Sequence, residues 1–329
     1  MPANSFGELL TLTTFGESHG EALGVVVDGC PAGIELRVED FLPELARRRP
    51  GQSDATSARR EPDQPEILSG VFEGRTTGTP IAVLVRNLDA RPKDYAALRD
   101  TPRPGHADET WARKYAHRDH RGGGRSSGRE TVARVIAGVI ARRILPPTVR
   151  IVGHALQIGP HVARRFLPDT IESNPLRCAD PEVAVAMEEF VRDCRARDDS
   201  IGGLVEVRVL GTPQGLGEPV FDKLKARLAQ AFLSVGAVHG FAYGAGFEVA
   251  TMHGSRYVAD RTHFGGMLGG ISTGEDLRLL AAVKPASSIG DVARKGRHDP
   301  CIVPRVIPVL EAMTALVLAD ALLLDRARR

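Results

Sequence analysis

From Ser127 to Leu145, Val132, Val135, Ile136, Val139, Ile140 and Ile144 recur at i, i+3, i+4, i+7, i+8 and i+12. On a helix of 3.6 residues per turn they make one apolar face, so this helix must lie against another layer. Ser127 and Glu130 form the S-x-x-E pattern of a capping box, and Pro146-Pro147 stops the helix. The segment feeding it is Arg121-Gly-Gly-Gly-Arg-Ser-Ser-Gly-Arg-Glu130. Consecutive glycines let backbone N–H groups approach an anion, and the helix turns its positive end to the same place. Arg121, Arg125, Arg129 and Arg134 surround it. No Gly-Lys-Ser/Thr follows the glycines, so this is not a nucleotide P-loop.

Short apolar runs bounded by Gly or Pro predict strands at Leu9–Thr13, Gly24–Asp28, Pro80–Val85, Val149–Val152, Leu204–Leu210 and Phe247–Thr251. Helices are predicted at Val38–Arg48, Ser127–Leu145, Pro181–Arg197, Pro219–Val235, Thr273–Ala282 and Pro308–Leu324, with the prolines in first turns. Val25 to Ile34 and Val207 to Leu216 both read strand, then G-x-P-x-G, then a helix with a Phe (Phe41, Phe221). This predicts an internal pseudo-repeat, although shared turn chemistry alone can produce it. Pro50–Gln64 is a long polar loop.

Six lysines stand against 37 arginines, yet the net charge is only +2. Arginine suits bidentate grip on carboxylate and phosphate. Near-neutral charge, four Tyr and one Trp argue against a nucleic-acid partner. Glu311 and Asp320 interrupt the most apolar stretch, Val309–Leu324, which predicts a buried helix and no membrane partner. Four scattered cysteines (Cys30, Cys178, Cys194, Cys301) without metal spacing predict free thiols and no metal. With no signal-like N-terminus, the expectation is a cytoplasmic protein.

Four further segments carry chemistry-bearing residues. Thr14-Phe-Gly-Glu-Ser-His-Gly20 places a histidine in a tight turn, where it can move protons near neutral pH. Arg47-Arg-Arg-Pro-Gly51 reads equally as a helix end complementing its dipole or as an anion clamp. Gly265 to Gly274, with Lys284-Pro-Ala-Ser-Ser288, can receive a flat phosphate-bearing cofactor or simply pack backbones closely. Lys295-Gly-Arg-His-Asp-Pro-Cys301 offers an anion ligand and acid/base groups.

Together with Arg59-Arg-Glu-Pro-Asp, Pro104-Gly-His-Ala-Asp, Asp199-Ser-Ile-Gly-Gly, Gly215-Leu-Gly-Glu-Pro-Val-Phe-Asp and Gly269-Gly-Ile-Ser, these segments, in this order, resemble chorismate synthase over nearly the whole chain. The resemblance implies an α+β fold, a layered β-α-β sandwich with an internal pseudo-repeat, as a single large domain over residues 1–329. It implies a lyase that eliminates phosphate from 5-enolpyruvylshikimate 3-phosphate to give chorismate. Reduced FMN (FMNH2) would be required but not consumed, with NADPH as an indirect reductant and an external flavin reductase as a partner. By resemblance His19, His106 and Asp299 are the catalytic residues. Arg48, Arg125, Ser126, Ser127, Ala237, Gly269, Lys284, Pro285, Ala286, Ser287, Ser288 and Arg297 bind cofactor. Arg48, Arg129 and Arg134 take the small anionic substrate, and the assembly is a homotetramer.

Four positions depart from the family pattern. Asp54 stands where an arginine is usual, Gly236 where an asparagine precedes Ala237, and Glu109 where an aromatic follows His-Ala-Asp. The stretch from Ser288 to Lys295 is shorter by a loop. These departures leave open an alternative: a diverged paralogue acting on a related phosphorylated carbocyclic acid.

Overall fold

A computed structural model describes residues 2–49, 61–88, 102–103, 105–117, 119–290 and 299–328. The order of elements begins β1 (Ser5–Phe6), β2 (Thr11–Gly16), β3 (Ala22–Asp28), α1 (Leu42–Arg48) and β4 (Pro65–Ile67). It continues with the hairpin β5 (Val71–Phe72) and β6 (Arg75–Thr76), then β7 (Ile81–Arg86), α2 (Asp108–Tyr115) and α3 (Thr131–Ile144). The second half runs β8 (Arg150–Ile158), β9 (His161–Val162), α4 (Pro181–Ala196), β10 (Gly203–Leu210), α5 (Leu224–Leu233), β11 (Val238–Tyr243) and α6 (Gly254–Ala259). A hairpin of β12 (Met267–Leu268) and β13 (Ile271–Ser272), then β14 (Leu277–Val283) and α7 (Val303–Arg328), complete it.

Two five-stranded antiparallel sheets, ordered β1-β2-β3-β7-β4 and β11-β14-β10-β8-β9, enclose a layer of helices. The predicted pseudo-repeat is visible in the topology. β2-β3-β7-β4 and β8-β10-β14-β11 follow the same chain order across the sheet. In each half the central strand leads through a turn to a short helix, and a long core helix follows the last strand. Gly29 and Gly33 in the first turn, and Gly211 and Gly215 in the second, all hold positive φ, so the two G-x-P-x-G turns share a conformation that only glycine adopts cheaply. The resulting architecture is the expected β-α-β sandwich.

The apolar face of α3 packs on β3 and on α7. A Cβ on Gly138 would come within 2.3 Å of the Ala312 Cβ, so the two core helices touch backbone to backbone. α7 is apolar enough to cross a membrane by length and composition, but 89% of its most apolar window is buried inside the protein. It is the central helix of the core. One of its buried acids, Glu311, receives Arg47, Arg142 and the Gly153 amide, joining α1, α3 and β8.

Several boundaries differ from expectation. Thr273–Ala282 is not a helix: Leu277, Leu279, Ala281 and Val283 point inward in alternation, and pairing with β10 and β11 overrides the helix-favouring Leu and Ala. Phe247–Thr251 is a 3₁₀ turn rather than a strand. The Pro219 helix begins only at Leu224. Pro308 lies inside α7, where it cannot donate to the Pro304 carbonyl; the Arg177 guanidinium donates there instead, at 2.7 Å. The capping box does not form as predicted. Ser127 accepts from the Arg129 amide, while the Glu130 carboxylate turns to Arg134.

Candidate active site

Two groups of candidate residues assemble at neighbouring places. The first centres on the turn between β2 and β3. Ser18 is fully buried, and its hydroxyl lies 3.0 Å from His19 Nδ1. Gly122, with φ +86, packs directly on that ring: a Cβ there would sit 2.4 Å from Nδ1. The Arg125 guanidinium donates to the Gly16 carbonyl and to the carbonyl and hydroxyl of Thr14, clamping the loop to β2. Asn87, just past β7, donates to the Glu17 and Gly20 carbonyls at 3.0 and 2.8 Å. Burial raises the pKa of Glu17; Arg125 opposes this and Asp119 adds to it.

The arginines of the glycine loop differ in use. Arg121 pairs with Asp119 at the surface. Arg134 pairs with Glu130 and donates to the Ser234 hydroxyl and carbonyl at the end of α5, which serves that helix terminus. Arg129 is buried. Its Nε donates to Asn87 Oδ1 at 3.0 Å, and its Nη1 meets Asp63. Its Nη2 has no hydrogen-bond partner among the described residues, the Glu61 carboxylate lying 3.9 Å away. A buried guanidinium nitrogen without an acceptor is costly, and such an atom marks a place for an anion or water.

Arg48, 2% exposed, reaches the other oxygen of Asp63 at 3.1 Å. Asp63 thus holds both buried candidate arginines, from a backbone with φ +48. The Arg305 guanidinium donates to the Arg48 carbonyl and pairs with Asp299. Arg47, the neighbour of Arg48, points the opposite way into the core, where Glu311 raises its pKa against the effect of burial. The Arg47-Arg-Arg segment therefore divides into a core residue and a site residue.

The second group lies where β14 ends. The Lys284 amide donates to the Ala237 carbonyl, and the Lys284 ammonium to the Ser287 hydroxyl. Ser200 donates to the Ala286 carbonyl. Gly105 packs on Ser287, its absent Cβ leaving 3.0 Å, so the segment of His106 leans on this loop. Asp108 accepts three bonds from Arg103 and fixes that segment. The Ile201 amide donates to the Pro300 carbonyl, next to Asp299, and so joins the second group to the first. Among the described residues nothing lies within 4 Å of a Cβ on Gly236, which leaves the backbone before Ala237 room for a flat ligand.

Gly269 stands apart. Its hairpin is tied to the start of α5 through the Leu224 amide and the Gly270 carbonyl, whereas Ala237 follows the far end of that helix, about 15 Å away at 1.5 Å per residue. Ser126 and Ser127 bond within the glycine loop. Arg297, Asp54 and the shortened stretch 291–294 lie outside the described residues, and Glu109 is exposed on α2, paired with Arg113. Sequence reasoning assigned no role to Asn87, Asp63, Glu61 or Arg305. The acids of Arg59-Arg-Glu-Pro-Asp63, in an arginine-rich chain, are the signal the sequence carries for Glu61 and Asp63. Asn87 and Arg305 gave none.

A family model described as chorismate synthase matches residues 10–323. The chain is 50% identical to chorismate synthase of Methanosarcina mazei, with 98% of this chain and 97% of that protein covered. Against the enzyme of Chloroflexus aggregans it is 50% identical over 355 positions, covering 100% and 98%. For Bdellovibrio bacteriovorus the identity is 49%, with both chains fully covered. A crystal structure of chorismate synthase superposes with a TM-score of 0.79 at 30% identity, over 97% of this chain and 93% of that one.

Proposed function

The chain belongs to the chorismate synthase family, and from that premise we propose that it eliminates phosphate and a ring hydrogen from 5-enolpyruvylshikimate 3-phosphate, giving chorismate with no net redox change. The observation that carries the reading is the buried Arg129. Its Nη2 has no hydrogen-bond partner among the described residues, and Asn87 ties its Nε to the turn bearing His19. A substrate with two carboxylates and a phosphate needs such preorganised cations to replace its water. Arg48 and Arg129 bind its anionic groups. Ser18 fixes the imidazole of His19 through Nδ1 and assigns proton handling to Nε2, beside the leaving phosphate. His106 handles the second proton, and Asp299, held by Arg305, assists removal of the ring hydrogen.

The open backbone at Gly236 and the hydroxyl-rich loop fit a flat, phosphorylated cofactor. Arg125 to Ser127, Ala237 and Lys284 to Ser288 would hold it, and Arg297 and Gly269 complete the set by resemblance. Reduced FMN, when bound, supplies electron density that helps phosphate leave. The remaining parts of the reading are a cytoplasmic lyase of the shikimate pathway and a homotetramer. NADPH serves as indirect reductant through an external flavin reductase. Phe221 and Phe247, 89% and 83% exposed, support assembly.

The test is anaerobic assay of the purified chain with dithionite-reduced FMN. Stoichiometric release of phosphate and chorismate is expected; no turnover refutes the reading. Turnover only with a related phosphorylated carbocyclic acid would favour the diverged-paralogue reading instead.

A further inference from the structure

Away from these residues, the outer face of the second sheet carries a polar cluster that the proposed reaction does not use. Arg208 of β10 and Arg278 of β14 are register partners. Like charges directly opposite each other on antiparallel strands repel. A single carboxylate holds them together. Glu206 is fully buried and accepts from Arg208 Nε and Arg278 Nε, each at 2.6 Å, and lies 3.1 Å from His154 Nε2. Burial alone would raise the Glu206 pKa, but bonds from His154, Arg278 and Arg208 outweigh it and hold it at about 2. Phe166 backs the Arg208 guanidinium, with Cζ 4.0 Å from the ring centroid, so this head group is fixed in plane.

Both Nε atoms are committed to Glu206, but most of the Nη atoms are not. Arg278 Nη1 donates to the Gly244 carbonyl. Among the described residues no acceptor takes Arg278 Nη2 or either Nη of Arg208, and no carboxylate but Glu206 pairs with them. One glutamate against two arginines leaves this cluster one positive charge, and the carboxylate of Asp276 on the same lining offsets it, so the attraction for an anion is local to the uncommitted Nη atoms. Both guanidinium groups line a cavity of about 540 Å³, with Arg261 and the Gly265-Gly266 turn. Arg261 is already paired with Glu275 there, and Asp276 on the rim accepts from the Gly211 amide. The volume suits a small ligand. Arg208 lies five residues along β10 from Gly203, which faces Val283 beside Lys284; at 3.3 Å per residue the cavity is about 17 Å from that loop.

We propose that this cavity binds a small oxyanion, a phosphate or carboxylate group, gripped by the Nη atoms of Arg208 and Arg278. The inference is independent of the reaction assigned above. It is tested by titrating inorganic phosphate into the full chain by calorimetry. Two binding events are expected, one at Arg129 and one here. Arg208→Lys and Arg278→Lys each keep a cation on Glu206 but lose the planar fork. Each is expected to weaken one event tenfold or more, leaving the other event, turnover and the far-UV circular dichroism unchanged. Arg129→Lys is expected to do the converse. Displacement of this phosphate by glycerol 3-phosphate alone assigns phosphate esters; displacement by succinate as well assigns oxyanions generally. Phosphate binding that is identical in wild type and both lysine variants overturns the proposal. So does a change in sedimentation without a change in phosphate affinity, which would make the cavity a contact between copies.

Discussion

At the scale of single residues, the candidate site is built by polar side chains that hold other polar side chains. Gly122 shows how little slack there is. Its positive φ and its contact with His19 mean that Gly122→Ala adds both backbone strain and a methyl 2.4 Å from Nδ1. Since the imidazole ring is the movable partner, we expect kcat to fall about 100-fold, the loss associated with displacing a catalytic group by about 1 Å. The far-UV circular dichroism should stay unchanged. Wild-type turnover in this variant would show that His19 is not where the chemistry occurs. Asn87 gives a complementary case, because it bonds Arg129 on one side and the Glu17 and Gly20 carbonyls on the other. Asn87→Asp keeps the acceptor for Arg129 but loses both donors to the turn. Asn87→Ala loses both ends. If Asn87 couples the anion-binding arginine to the histidine turn, Asn87→Asp should lower kcat about tenfold with little change in KM, while Asn87→Ala should change both. Equal effects of the two variants on KM would count against that coupling.

At the scale of elements, the crossing of α3 and α7 is set by Gly138. Alanine is the better helix former by about 1 kcal/mol, so propensity alone predicts that Gly138→Ala stabilises. Its methyl would meet the Ala312 Cβ at 2.3 Å and the Ala312 Cα at 2.6 Å, both on a buried helix that cannot withdraw. Overpacking of this kind costs about 1–3 kcal/mol, so net destabilisation is expected, read as a lower urea midpoint. A raised midpoint would mean the helices are less tightly apposed. This crossing was not legible in the sequence, although α3 itself was. Its apolar spacing could be read because it is local, whereas Gly138 and Ala312 meet only through the fold. The same distinction explains β14. Its inward Leu277, Leu279, Ala281 and Val283 alternate, but Arg278, Leu280 and Ala282 between them are compatible with a helix, and only pairing with β10 and β11 decides. In the site, the histidines and glycines were readable from motifs, and so was Arg48. That Arg134 serves the end of α5 rather than standing open, and that Arg129 is held by Asp63 and Asn87, depends on contacts over 42 to 100 residues of sequence.

At the scale of the molecule, the two halves repeat each other but share one helical layer, and this fixes how they must unfold. α7 follows the second sheet in the chain, yet it packs on α3 of the first half, and its Glu311 receives Arg47 from α1 as well as Arg142 from α3. Asp320, also on α7, accepts the amides of Glu8, Leu9 and Leu10 just before β2. Losing either half would therefore expose an apolar helix face of the other and orphan buried charges, so a half-folded state is strongly disfavoured. Acid titrates one identified carboxylate of the second half, Glu206. The folded pKa of Glu206, about 2, lies below its ordinary 4.5. The depression stabilises the fold above the ordinary value and is lost as pH falls from 4.5 through 2, by about 3 kcal/mol from a shift of this size. Glu206→Gln should remove that share of the acid dependence, measured as urea midpoints between pH 5 and pH 2. If the halves are one cooperative unit, amides of β3 in the first sheet and of β10 in the second should lose protection from hydrogen exchange together along that pH series, although Glu206 touches only the second sheet. Retained protection in β3 while β10 exchanges would instead show two units that fold separately and merely lie side by side.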